Sequence, residues 1–229
     1  YTSSFYQLFS KDTDKGIVWK VNKDRAWLYE IKGFFSKEQT DPSQVGLSQQ
    51  SIRIKAWHDD LENAIKNEDE PHFHSPFFEG LMTEKRSFVW NKPLIVLTDE
   101  FCASGGDVFP MLVKGNQRGK IFGRKTLGAG GNVEEVGSSF QLVNTGGVLR
   151  LTRSLLAFSN DNEQYSDDDM LENKGVTPDR EYALSEKDAL DLSMSDYLEN
   201  LLEYAYQELT KKETEDQNQK KKDTCESDN

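Results

Sequence analysis

An α/β fold is the expectation for this 229-residue chain, and three features near its middle carry it. The run Pro93-Leu94-Ile95-Val96-Leu97 is apolar throughout, as a strand covered on both faces should be. The stretch "VFPMLVKGNQRG" beyond it reads as a helix, and "KIFGRK" as a second short strand. Residues 93–123 therefore form a strand-helix-strand unit, whose two strands should pair in parallel.

The other elements follow in order. Residues 1–10 place Phe5, Leu8 and Phe9 on one helical face, and "GIVWKVN" reads as a short strand. Gln44 to about Asn67 is mostly helical, with Ile52, Ile54, Trp57, Leu61 and Ile65 as the apolar face. "NEDEPHFHSPFFEG" is a loop with two prolines and paired aromatics. Pro110 allows two helix starts in the central unit, one near Pro110 itself and one at Ser104 with a bend. After the glycine loop "TLGAGGN" come strands around Val133–Val143 and Val148–Phe158, separated by the turn "NTGG". The acidic connection "SNDNEQYSDDDMLENKG" leads to a helix from Ser185 to about Lys211. Its apolar positions include Leu190, Leu192, Tyr197, Leu201, Tyr204 and Leu209. Residues 1–212 thus form the folded part, and 213–229, low in apolar residues, should be a disordered polar tail. There are no internal repeats.

Composition removes several functions. A formal charge of −12 argues against a general binder of nucleic acid or anionic membranes, because phosphate contacts need clustered Lys and Arg. The apolar share is 35% and the mean hydropathy −0.74. No window approaches eighteen uninterrupted apolar residues, so no membrane span is expected. Cys102 and Cys225 stand in unrelated surroundings, and no Cys/His spacing suggests zinc. No metal or cofactor is expected.

The corner "TDEFCASGGDVFP", Thr98 to Pro110, admits two readings. Ser104 caps the helix, or it is a nucleophile on a strand-to-helix corner where glycines let backbone amides approach a bound carbonyl. It is not a G-x-S-x-G elbow. "GRKTLGAGG" lacks the Gly-Lys-Ser/Thr of a phosphate-binding loop and reads better as a turn lining a cleft. His72 and His74, two apart in "PHFHSP", offer two metal ligands without a third. His58 adjoins Asp59 and Asp60 on a helix, as a surface residue would. Glu172, in "LENKGVTPD", reads locally as a solvated acid.

Taken together these segments resemble the C-terminal processing (tail-specific) peptidase family, most closely the branch containing the chlamydial protease-like activity factor and the tricorn core protease. "KPLIVLTDE", "ASGGDVFP", "RGKIFGRKTLGAGG" and "LENKGVTPD" match in order and spacing over about residues 90–182. The resemblance implies an α/β fold of the ClpP/crotonase kind and peptide-bond hydrolysis through a serine. By position Ser104 matches the nucleophile, Gly105 the residue whose N–H serves the oxyanion hole, and Glu172 the acid that orients a catalytic histidine. Asp107 matches an acid at the helix start, with no role assigned.

Two departures accompany the match. Ala129 holds the place of the lysine used in serine-lysine members, so no such dyad can form there. The histidine and the remaining oxyanion glycine of the chlamydial-type branch lie N-terminal to Tyr1, so the chain is expected to be the C-terminal part of a protease catalytic domain. Its partners would be a protein or peptide substrate and the N-terminal portion of the same protease, in a processed heterodimer or a longer polypeptide. The resemblance favours a secreted or extracytoplasmic setting. Two alternatives remain: a non-catalytic protease-like module for peptide binding or assembly, and a crotonase-type acyl-CoA enzyme.

Overall fold

The structure is a computed structural model that describes residues 17–21, 23, 25, 28, 49–74, 90, 92–135, 144–148, 150–159, 165, 166, 169–190 and 193–227. Its strands are β1 (Ile17–Val21), β2 (Phe73–His74), β3 (Ile95–Thr98), β4 (Lys120–Gly123), β5 (Asn132–Glu135), β6 (Arg150–Phe158) and β7 (Arg180–Glu181). The helices are α1 (Gln49–Asn67), α2 (Gly105–Gly115), α3 (Glu186–Leu190) and α4 (Ser195–Ser227). The expected helix over 1–10 lies outside the described residues.

Two sheets form. One is antiparallel, in the order β2-β1-β6-β5, and the other parallel, in the order β3-β4-β7. The strand-helix-strand unit appears as expected, with Ile95 opposite Lys120 and Thr98 opposite Gly123 in parallel register. Helix α2 is the layer both sheets share. Its Val108, Leu112 and Val113 pack with Ile121 of β4, Ile17 of β1 and Leu156 of β6, and Leu171 and Val176 close the cluster. Burial of this cluster holds the corner before α2 at a fixed place between the sheets. A second cluster unites Ile54, Trp57 and Leu61 of α1 with Trp19 of β1, the helical face read from the sequence.

Several expectations change. Strand β3 ends the parallel sheet, and Leu97 is 48% exposed, so the strand is not covered on both faces among the described residues. β2 is a two-residue strand inside the expected loop, pairing Trp19 with His74. Helix α2 starts directly after Ser104 and carries Pro110 within it.

The expected helix over 185–211 is broken between α3 and α4. Asp188 explains the break. Its carboxylate accepts bonds from the Tyr197 N–H at 3.0 Å, the Ser185 N–H at 3.1 Å, the Ser185 hydroxyl at 2.9 Å and the Tyr182 hydroxyl at 3.1 Å. One helix thus caps the next, and Met194 turns between them at φ 50°. Burial opposes the charge on Asp188, but these bonds outweigh it and hold the carboxyl at a pKa of about 2. Helix α4 then runs to Ser227, through most of the stretch 213–229 expected as a polar tail. That stretch contains no Gly or Pro up to Ser227 and is rich in Glu, Gln and Lys, all good helix formers.

Candidate active site

Ser104 is exposed and stands between β3 and α2. Its backbone adopts φ 53° and ψ −113°, a region that favours glycine and costs another residue about 1–3 kcal/mol. The surroundings enforce it. The Ser104 carbonyl accepts both the Asp107 and the Val108 N–H at 2.9 Å, and the Gly106 N–H bonds the Ala103 carbonyl at 2.8 Å. A Cβ on Gly106 would approach the Cys102 Cβ to 3.3 Å, so a larger residue there requires the Cys102 side chain to give way. The Ser104 hydroxyl makes no capping bond. The strained residue is therefore not spent on closing the helix, which removes the local reading of Ser104 as a side-chain cap.

The N–H of Gly105, the first of α2, has no acceptor among the described residues. Such groups, with the partial positive charge of a helix N-terminus, favour an anion placed before them. The neighbouring thiol is a poor rival nucleophile. Burial pushes the Cys102 thiol up from its ordinary pKa, which reduces the thiolate that would react.

Beside the corner lies the glycine loop, residues 126–131. The Leu127 N–H bonds the Cys102 carbonyl at 2.9 Å. Asp107, on the first turn of α2 and 0% exposed, accepts the Gly128 N–H at 2.8 Å and the Ala129 N–H at 2.9 Å. On its other side the loop meets residues 171–176. The Asn173 N–H bonds the Gly128 carbonyl at 2.7 Å, and the Thr126 N–H bonds the Val176 carbonyl at 3.1 Å. The two backbones press together at Gly128, φ 81°, where a Cβ would lie 2.6 Å from the Gly175 nitrogen.

Glu172 belongs to this second contact. Its Oε2 accepts the Gly131 N–H at 2.6 Å, and its side chain is half-buried. It is therefore more than a solvated acid. Oε1 has no hydrogen-bond partner among the described residues. The fold thus brings Ser104 and Glu172, 68 positions apart in sequence, to the two flanks of one six-residue loop.

The histidines are engaged elsewhere. His58 Nδ1 lies 3.2 Å from Asp59 Oδ1. His72 Nδ1 lies 2.5 Å from Asp60 Oδ1, and the His72 backbone N–H donates to Asp60 Oδ2 at 2.7 Å. His74 Nε2 lies 3.1 Å from Asp60 Oδ2, an ion-pair distance without hydrogen-bond alignment. Burial alone would raise the Asp60 pKa, but the bonds from His72 and the approach of His74 lower it. No histidine contacts Ser104 among the described residues, and none of their His, Cys, Asp and Glu form a group of three or more able to hold a metal ion. No helix among them is long and apolar enough to cross a membrane.

The model of peptidase family S41 matches residues 28–182. A Chlamydia pneumoniae protein is 34% identical over 112 residues, a segment that is 48% of this chain and 16% of that protein. An uncharacterized protein of Chlamydia muridarum is 32% identical over 114 residues, 49% of this chain and 17% of its own length. The chain's match thus spans about a sixth of these relatives. Among solved structures, mature CPAF complexed with lactacystin aligns with a TM-score of 0.64 and 22% identity, covering 90% of this chain and 41% of that one. Mature CPAF in a second structure gives 0.62 and 22%, over 87% and 39%. At this identity the likeness establishes a shared α/β peptidase fold.

Proposed function

The chain belongs to peptidase family S41, and from that premise we propose that it is the nucleophile-bearing part of a serine endopeptidase on a fold of the ClpP/crotonase kind. The observation that carries the proposal is Ser104. A non-glycine residue is held at φ 53° on a strand-to-helix corner, exposed and with no hydroxyl hydrogen bond among the described residues. Residues strained in this way cluster at active sites and ligand clamps.

In this mechanism the Ser104 Oγ attacks the scissile carbonyl carbon and its proton passes to a histidine base. That histidine comes from sequence outside residues 1–229, the N-terminal portion of the same protease. Glu172, anchored through Oε2, accepts the histidine Nδ1–H at Oε1 and stabilises the imidazolium. The Gly105 N–H donates to the developing oxyanion. The histidine then protonates the leaving amine, and water attacks the acyl-serine in the reverse sequence. Among the described residues β3 is the edge of the parallel sheet and Leu97 is exposed, which supports a further portion of the protease lying alongside.

Hydrolysis of an unstructured protein substrate, by the full-length protein and by residues 1–229 alone, tests this. Full-length protein should cleave, Ser104→Ala should lose at least about 10³-fold in turnover with its fold intact, and residues 1–229 alone should be inactive. Retained activity in Ser104→Ala moves the nucleophile elsewhere. A peptide-binding module instead predicts substrate binding without turnover in both forms.

A further inference from the structure

Asp107 takes part in none of the steps above, yet it is the fully buried carboxylate that joins the corner to the glycine loop. We infer that Asp107 is a positioning residue, holding the loop against the helix that carries Ser104 so that the loop fixes Glu172 relative to the nucleophile. The inference rests on the serine-peptidase reading of the site.

The bonds form one continuous path. The Asp107 N–H holds the Ser104 carbonyl at 2.9 Å, and its two side-chain oxygens take two successive loop amides, Gly128 and Ala129, at 2.8 and 2.9 Å. The same Gly128 accepts the Asn173 N–H at 2.7 Å, and three residues on, the Gly131 N–H holds Glu172 Oε2 at 2.6 Å. Successive backbone amides in a turn make a concavity suited to an anion. An aspartate of this length brings two acceptor oxygens to them, whereas an asparagine brings one acceptor and one donor. The arrangement also assigns the loop amides. Those of Gly128 and Ala129 face Asp107 and do not serve a substrate oxyanion.

A purely structural acid at this place would affect only stability. A positioning acid also affects the chemical step, because a displacement of about 1 Å at a reacting group can cost about 10²-fold. The test uses the full-length protein with Asp107→Asn. The expected result is a fall in kcat of about 10²-fold, with KM unchanged within about twofold because the substrate surface is untouched. The rate at which a serine-reactive fluorophosphonate labels Ser104 should fall in parallel, per folded molecule. A kcat and labelling rate equal to wild type, with only a lower Tm, would overturn the inference while leaving the nucleophile assignment intact. Activity surviving in Ser104→Ala would instead remove the reading on which it rests. If Asp107→Asn does not fold, Asp107→Glu carries the same test, since it keeps the carboxylate but shifts by one methylene the oxygens that hold the Gly128 and Ala129 amides. Amide exchange in the wild-type protein adds a direct check. Gly128 and Ala129 N–H should be protected, and exchange as fast as in a free loop would mean that no clamp exists.

Discussion

Replacing Glu172 by glutamine separates the anchoring of this side chain from its proposed work. In the structure Oε2 receives the Gly131 N–H at 2.6 Å, and Oε1 has no hydrogen-bond partner among the described residues. A glutamine has one acceptor oxygen and one NH2 group. If its oxygen keeps the Gly131 bond, the NH2 points where the histidine N–H must arrive, donor against donor. If the amide turns over, the clash moves to Gly131. Keeping the Gly131 bond limits the stability cost to about 1.5 kcal/mol or less, the worth of a hydrogen bond. The catalytic cost is larger. In a serine triad, exchanging the orienting carboxylate for its amide lowers kcat by about 10⁴, equivalent to about 5.4 kcal/mol at 1.36 kcal/mol per decade. Full-length Glu172→Gln should therefore lose about 10³- to 10⁴-fold in kcat for peptide hydrolysis, with a Tm close to wild type. A loss under tenfold would refute the role of Glu172. So would an activity loss fully accounted for by unfolded protein in a denaturant titration.

Other expectations address the frame around the site. Gly128→Ala combines φ 81° with a Cβ placed 2.6 Å from the Gly175 nitrogen and 2.7 Å from the Lys174 nitrogen. It should destabilise the protein by at least about 1–3 kcal/mol, measured by urea unfolding, and a neutral outcome would mean that the loop is not pressed on residues 173–175. Asp188 sets an acid limit. Its folded pKa of about 2 lies below the ordinary 3.8, so its contribution is complete above that ordinary value and is lost as pH falls from there through about 2. Unfolding free energies between pH 2 and 6 should show this loss in wild type and a shallower dependence in Asp188→Asn.

The strand-helix-strand unit and the Ser104 corner were legible because their signals are local. Four apolar residues precede Thr98, small residues surround Ser104, and α2 carries its apolar face at helical spacing. Asp107 was visible as an acid near a helix start, but its partners lie 21 and 22 positions away, and no local pattern announces them. Glu172 looked solvated for the same reason, since Gly131 is 41 positions distant. The break between α3 and α4 escaped because the apolar periodicity crosses it. Only the four bonds converging on Asp188 disclose that one helix ends and caps another. For 213–227, low apolar content and the helix propensity of Glu, Gln and Lys point in opposite directions. The exposed side of β3 was hidden in an apolar run, which cannot tell a covered strand from one awaiting its neighbour.

The central claim is that Ser104 is an activated nucleophile. The most direct measurement labels the full-length protein with a fluorophosphonate and locates the adduct by peptide mass mapping. The account predicts a single adduct on Ser104, formed faster than hydrolysis of the free reagent and absent from Ser104→Ala. An adduct on another residue of a proteolytically active protein, or cleavage with Ser104 unlabelled, would contradict it.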